Sequence, residues 1–303
     1  MAEPGTQLFL DAPVERVDTR AARLVYRRLG SGPPLLLVHG FPLSGFTWRR
    51  LLPDLARRHT CYVPDLPGMG ESEWTDATDF SFPGQGHTLK QLVDRLGLER
   101  YSVLAQDTGG TFARYLALED GARIAELILI NTEIPNHRPP WIPLYQLSMQ
   151  APGVLTVFRM LLRSDRFLRS SMGFGGCFND LRLIEGDFRE HVVEPLLRSP
   201  HRLDGMRRYL LGATWKPVDA LARDHARLTM PVRLIWGADD PTFPVALARA
   251  MVAQFPDARL TEVPGGRLLV HEEKPAEVAR AVLAFTAPSP SGNGAATPAP
   301  HSP

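Results

Sequence analysis

Short apolar runs alternate with helix-patterned segments along most of this chain, and that alternation restricts its fold more than any other feature. Val14–Arg20 and Arg23–Leu29 read as two strands joined by a short turn. Pro34–His39 (PLLLVH) is a continuous apolar run, as expected of a strand covered on both faces. Further strands are expected at Cys61–Asp65, Tyr101–Ala105, Ala125–Asn131, Val232–Trp236 and Arg259–Val263. Helical spacing fills the intervals at Thr47–Arg58, Leu89–Leu98, Gly109–Leu118, Val245–Phe255 and Pro275–Phe285. Such alternation predicts an α/β fold: a mostly parallel, eight-stranded sheet with helices on both faces.

The stretch from Ile134 to Thr229 breaks the rhythm. It carries helical patterns, such as Leu155–Arg163 and His191–Leu197, and no clear strand. The expected division is a core of residues 1–133 and 230–286, with a helical cap at 134–229. In open α/β sheets the ligand sits outside the carboxyl ends of the strands, so the cap would roof that crevice. Residues 287–303 (APSPSGNGAATPAPHSP) lack periodicity and large apolar side chains and read as a disordered tail.

Composition narrows the partners. Lys and Arg total 34 against 33 Asp and Glu in 303 residues, a net charge of +1 that gives no reason to expect nucleic acid. The hydrophobic fraction of 44% suffices for a sizeable core. No apolar run reaches the roughly 18 residues of a membrane span. The start, MAEPGTQLFLDAP, has neither a basic region nor a long apolar one, so a cytoplasmic protein is expected. Cys61 and Cys177 make no disulfide framework and read as reduced thiols. Histidines and cysteines are dispersed without ligand spacing, so neither metal nor cofactor is expected.

The sharpest local feature is Ala105-Gln106-Asp107-Thr108-Gly109-Gly110, between a predicted strand and a predicted helix. Small residues stand two before and two after Asp107. A strand-to-helix turn tight enough to push one side chain into a cleft needs small flanks, because larger ones would strike neighbouring backbone. The positive end of the helix would favour an ionised carboxylate there. An ordinary helix N-cap is the bland reading of the same aspartate.

Three other segments change that balance. His39-Gly40-Phe41-Pro42 follows a buried strand, Asp65-Leu66-Pro67-Gly68-Met69-Gly70-Glu71-Ser72 follows the next, and Trp236-Gly237-Ala238-Asp239-Asp240-Pro241 follows a late one. Together with the Asp107 turn, in this order, they resemble the α/β-hydrolase superfamily over about residues 14–286. Aspartate at the turn resembles the branch of haloalkane dehalogenases, epoxide hydrolases and haloacetate dehalogenases. The chemistry such an aspartate permits is attack on an sp³ carbon, giving an alkyl ester that activated water then cleaves. The resemblance implies an oxyanion hole from the backbone N–H groups of Phe41 and Thr108. It makes Asp240 the acid that orients a histidine, with Asp239 able to exchange roles and Glu133 second in rank. His39 reads as structural.

The base departs from the family pattern. That pattern is Gly-His-Phe, two residues, Glu-Glu, one residue, Pro. Here the segment reads Gly265-Gly266-Arg267-Leu268-Leu269-Val270-His271-Glu272-Glu273-Lys274-Pro275, so the histidine position holds Leu268. Leucine neither accepts a proton nor can be oriented by Asp240. His271 could serve only if the loop were rebuilt, because a three-residue shift spans up to roughly 10 Å. Otherwise it caps the following helix or lines the pocket. His137, His191, His201 and His225 in the cap are the other possible sources.

The expected partner is a small apolar substrate, an epoxide ahead of an alkyl halide. Thr108 stands where dehalogenases of this branch usually carry a halide-binding Trp, and where haloacetate dehalogenases carry Arg, although Arg114 lies a turn further on. Trp141, Tyr145 and Tyr209 are the substrate-binding candidates. Phe41, Phe174 and Phe178 join Trp141 and Tyr145 in an apolar pocket, and Met172-Gly173-Phe174-Gly175-Gly176 reads as a lid loop. Without a working base the chain would instead bind a ligand or react once.

Overall fold

The computed structural model describes residues 3–286, so the tail at 287–303 lies outside the described residues. The strands are β1 (Val14–Asp18), β2 (Ala22–Leu29), β3 (Pro34–Val38), β4 (Thr60–Pro64), β5 (Glu73–Trp74), β6 (Tyr101–Gln106), β7 (Ile124–Ile130), β8 (Val232–Gly237) and β9 (Ala258–Val263). They form one nine-stranded sheet in the order β1-β2-β4-β3-β6-β7-β8-β9, with β5 pairing β2. The eight-stranded expectation missed β5, whose two residues are too few to show an alternation. Pairing of β2 with β1, β4 and β5 is antiparallel, and from β4 through β9 it is parallel.

Leu35, Leu36, Leu37 and Val38 of β3 are fully buried, and so is every residue of β6 or nearly so. That matches strands covered on both faces. Register then positions the site. Val38 pairs Ala105, Gln106 pairs Ile130, and Ile130 pairs Ile235. The carboxyl ends of β3, β6, β7 and β8 are therefore level, and the segments leaving them gather at one edge.

Helix boundaries moved for local reasons. The single helix expected over Thr47–Arg58 is a 3₁₀ turn, Gly45–Trp48, followed by a short helix, Leu52–Leu55. Pro53 has no N–H and its ring strikes the preceding turn, so one continuous helix is excluded. The helix expected from Leu89 starts at Phe82, where the Ser81 hydroxyl accepts the Gly84 N–H at 3.1 Å. An unanticipated helix, Pro4–Asp11, packs Phe9 edge-on against Phe46 at 5.5 Å.

Between β7 and β8 the chain is helical, chiefly Trp141–Ser148, Val154–Leu162, Pro200–Gly212 and Trp215–Asp224. No strand interrupts it among the described residues. These helices and the strand ends enclose a cavity of about 360 Å³.

Candidate active site

Asp107 ends β6 and precedes the helix Thr108–Asp120 with φ 51° and ψ −132°. Positive φ in a non-glycine residue costs roughly 1–3 kcal/mol and persists only where its surroundings impose it. Here the strand and helix leave the chain one residue in which to reverse. The close approach is real: a Cβ on Gly109 would lie 2.4 Å from the His39 carbonyl oxygen, and one on Gly40 2.5 Å from Asp107 Cβ. Small flanks are therefore a steric requirement of this turn.

The Asp107 side chain is buried from bulk solvent yet lines the cavity. Its Oδ2 accepts the Phe41 N–H at 2.9 Å. Burial, and then the Glu133 charge, push its carboxyl well above the ordinary carboxylate range, while the N–H groups of Thr108 and Phe41 pull it down. His39 is structural: Nδ1 donates to the Gly40 carbonyl at 2.9 Å and Nε2 accepts the Leu66 N–H at 2.9 Å. Burial lowers its pKa to about 4, so it is neutral at pH 7.

Asp240 lies behind the cavity wall. Its Oδ2 accepts Asn131 Nδ2 at 2.7 Å and its Oδ1 accepts the Thr242 N–H at 2.8 Å. Burial raises its pKa to about 6 against these hydrogen bonds. Asn131 also accepts the Gly237 N–H at 2.8 Å, tying β7 to β8. Leu268 is on the cavity wall, its carbonyl accepting Gln106 Nε2 at 3.2 Å.

His271 is not where a base must be. Its Nε2 lies 2.7 Å from Thr47 Oγ1, its ring packs on Trp48 at 4.9 Å, and Nδ1 has no partner. Beside it Arg49 grips both oxygens of Glu272 at 2.7 and 2.8 Å. Burial and the Arg49 charge lower its pKa to about 3. The expectation of His271 as base is corrected, because the loop was not rebuilt and carries this side chain into the protein interior. His271→Gln should cost about 1–3 kcal/mol of stability through lost packing. It should leave reactivity at Asp107 unchanged, as comparison of thermal melts with single-turnover rates would test.

The cap histidines are likewise occupied elsewhere. His191 packs at a tilt on Phe46 at 4.4 Å, and His201 stacks on Trp74 at 4.4 Å. His137 Nε2 donates to the Thr242 carbonyl at 2.9 Å, and His225 is buried beside Arg114. Among the described residues, no histidine lines the cavity.

Phe41, Trp141, Tyr145 and Phe174 line the cavity as expected, with Met172, Gly173 and Gly176 of the glycine-rich run. Phe178 does not, being fully buried against Phe188 at 5.3 Å. The two tyrosines differ. Tyr145 gives its hydroxyl to the Met172 carbonyl. Tyr209 places its hydroxyl 3.1 Å from Thr108 Oγ1 and stacks on Phe41 at 5.4 Å. Burial, and the Asp107 and Glu133 charges, hold the Tyr209 phenol protonated. Trp141 keeps its indole N–H free of hydrogen bonds among the described residues. Arg114 is fully buried and does not reach the cavity, so it is not a substrate-carboxylate ligand.

Sequence reasoning missed the bond between Asn131 and Asp240 and the polar cluster around Glu133, because both join residues far apart in the chain. No group of acidic, histidine or cysteine side chains among the described residues could hold a metal ion. No helix among them is long and apolar enough to cross a membrane.

Known proteins share this fold. The family model described as alpha/beta hydrolase fold matches residues 33–275. Haloalkane dehalogenase 2 of Mycobacterium tuberculosis is 30% identical over 286 residues, covering 92% of this chain and 96% of the relative. A soluble epoxide hydrolase of Corynebacterium is 28% identical over 288 residues, covering 88% of this chain and 94% of its own. The crystal structure of an α/β-hydrolase fold protein from Burkholderia ambifaria superposes with a TM-score of 0.77 at 28% identity, over 89% of this chain and 97% of that one. With that match spanning the sheet from β3 to the segment after β9, the chain belongs to the α/β-hydrolase fold family and is related to haloalkane dehalogenases and epoxide hydrolases.

Proposed function

We propose that this protein opens small apolar electrophiles, epoxides ahead of alkyl halides, by attack of the Asp107 carboxylate, leaving an alkyl ester on the enzyme. The observation that carries the reading is Asp107 itself: a carboxylate held on a strained turn, on the wall of an otherwise mostly apolar cavity, with one oxygen on a backbone N–H. Oδ2 sits on the Phe41 donor, so Oδ1 is the attacking oxygen. The new bond joins Oδ1 to the substrate carbon and the carbon–oxygen bond of the epoxide breaks. Tyr209 gives its proton to the oxygen released, since its hydroxyl is beside Thr108, the residue next to Asp107.

Epoxide is favoured over halide because the donors near Asp107 suit an oxygen that must gain a proton. A halide leaves without one and needs indole or amide donors; of the two indoles lining the cavity, Trp215 already gives its N–H to the His137 carbonyl at 2.9 Å, which leaves Trp141. Curated relatives of both names match the chain, so kinship alone does not decide.

A second reading is supported by Leu268. With leucine on the cavity wall and no histidine lining it, ester hydrolysis lacks its usual base, and the protein would react once and stop. Incubation with 1,2-epoxyhexane and 1-bromobutane, followed by intact mass measurement, tests the first half-reaction. The expected result is a stoichiometric adduct that maps to Asp107 and exceeds the free enzyme during turnover, more with the epoxide. Absence of both adduct and product with every substrate would remove Asp107 from the chemistry.

A further inference from the structure

Glu133 follows β7 by three residues, lines the same cavity as Asp107, and is 2% exposed. Its Oε2 is held by two hydroxyls, Thr111 Oγ1 at 2.6 Å and Thr132 Oγ1 at 3.1 Å. Its Oε1 has no side-chain hydrogen bond among the described residues. The Thr132 hydroxyl also lies 2.8 Å from the Asp107 main-chain carbonyl, so its single proton is shared between that carbonyl and Glu133 Oε2.

The charge behind this carboxylate is arranged unusually. Arg114 Nη2 donates to Thr111 Oγ1 at 2.6 Å and to the Glu133 main-chain carbonyl at 2.8 Å. Its Nε donates to the Gly110 carbonyl at 3.2 Å, and its Nη1 to His225 Nε2 at 3.2 Å. A guanidinium only donates, so His225 Nε2 accepts and its Nδ1 carries the proton given to Gln254 Oε1 at 2.8 Å. A glutamate kept merely to neutralise a buried arginine would pair with it directly, fork to fork. Here the cation acts through a hydroxyl, and neither carboxylate oxygen bonds the guanidinium, while Glu133 lines the cavity.

We propose that Glu133 is the base that hydrolyses the Asp107 ester, in place of the histidine that position 268 lacks. This rests on Asp107 being the nucleophile. Glu133 takes a proton from a water, and the hydroxide adds to Asp107 Cγ. The resulting oxyanion is held by the N–H groups of Phe41 and Thr108. Collapse breaks the bond from Cγ to the alkyl oxygen, which leaves with the proton returned by Glu133. Asp107 is then a neutral acid, and its proton restores the Tyr209 phenol that the epoxide opening had consumed. Epoxide and water become diol, and every side chain regains its starting state. With an alkyl halide the last proton goes to solvent with the halide.

The groups facing Glu133 are Asp107, Tyr209 and Arg114. Burial raises the Glu133 pKa, and the Thr111 hydroxyl and Arg114 oppose it. A carboxylate so placed is a stronger base than one in water.

The experiment is a single turnover of 1,2-epoxyhexane by the wild type and by Glu133→Gln, with the ester followed by mass, in water enriched in ¹⁸O. Both proteins are expected to form the ester. Its decay should slow at least 10²-fold in Glu133→Gln, and ¹⁸O should enter Asp107 only in the wild type. Equal decay in both, or an ester that the wild type never hydrolyses, overturns the role of Glu133 while the Asp107 reading stands. Failure of the wild type to form an ester, with no diol, takes down both. Should Glu133→Gln not fold, the wild-type ester is followed against pH. Decay must rise with pH through one ionisation, and a flat profile from pH 5 to 9 overturns the proposal.

Discussion

Leu268→His should accelerate release of the Asp107 ester by about 10²–10⁴-fold, the usual contribution of a positioned base. Leu268 stands on the cavity wall, and its main chain is fixed by the Gln106 side chain. Histidine nearly matches leucine in volume, so the exchange creates neither a large cavity nor a large clash. Asp240 is the acid expected to orient the new ring. Its Oδ2 accepts Asn131 Nδ2 and its Oδ1 the Thr242 N–H, the Phe243 N–H also bonds the carboxylate, and burial raises its pKa to about 6 against them. An imidazolium beside it would stabilise the carboxylate form that burial now disfavours. The measurement is single-turnover decay of the ester formed from 1,2-epoxyhexane. Decay at the wild-type rate, in a variant that melts like the wild type, would mean that the side chain at 268 does not reach the ester.

Asp107→Asn should do two opposite things. Ester formation should fall at least about 10⁴-fold, because an amide oxygen is a poor nucleophile and the residue acts as part of a unit. The same change should stabilise the fold by on the order of 1–2 kcal/mol, or roughly 2–4 °C in Tm per kcal/mol. The sign follows from the ionisation. The folded-state pKa of Asp107 is raised, so its favourable contribution is complete below the unfolded value near 4 and is lost as pH rises through the folded value. Asparagine carries no charge and escapes that loss. The gain in Tm should therefore be largest at pH 8 and shrink towards zero near pH 4. A variant that melts no higher than the wild type at pH 8 would contradict the burial cost, and an adduct on the variant would contradict the nucleophile.

These two variants, with Glu133→Gln, separate the half-reactions. On the proposed mechanism Asp107 governs formation of the ester, while Glu133 and position 268 govern its fate. Stability and reactivity oppose each other at Asp107, as expected where a fold holds a charge it would otherwise neutralise.

Much of the architecture was legible in the chain. β3 announces itself because a strand buried on both faces favours apolar residues at successive positions, and PLLLV is too short a run for a typical helix. The Asp107 turn was legible from the small residues that flank it in the chain, although the atoms for which Gly109 makes room belong to His39 and Val38, far away in sequence. β5 was not, since two residues carry no period, and Pro53 divided a segment whose leucine spacing alone suggests one helix.

The sequence by itself determined the order of strands and helices, the tight turn that presents Asp107, and the replacement of the expected histidine by Leu268. Only the tertiary structure decided where His271 goes, that Asp240 holds Asn131, and that Glu133 shares a cavity with Asp107. The reason is range. Steric demands and hydrophobic period act between neighbours in the chain, whereas Glu133 and Asp107 meet only because β6 and β7 pair in a register that brings their ends level. Burial then shifts their ionisation through a field that no local pattern encodes.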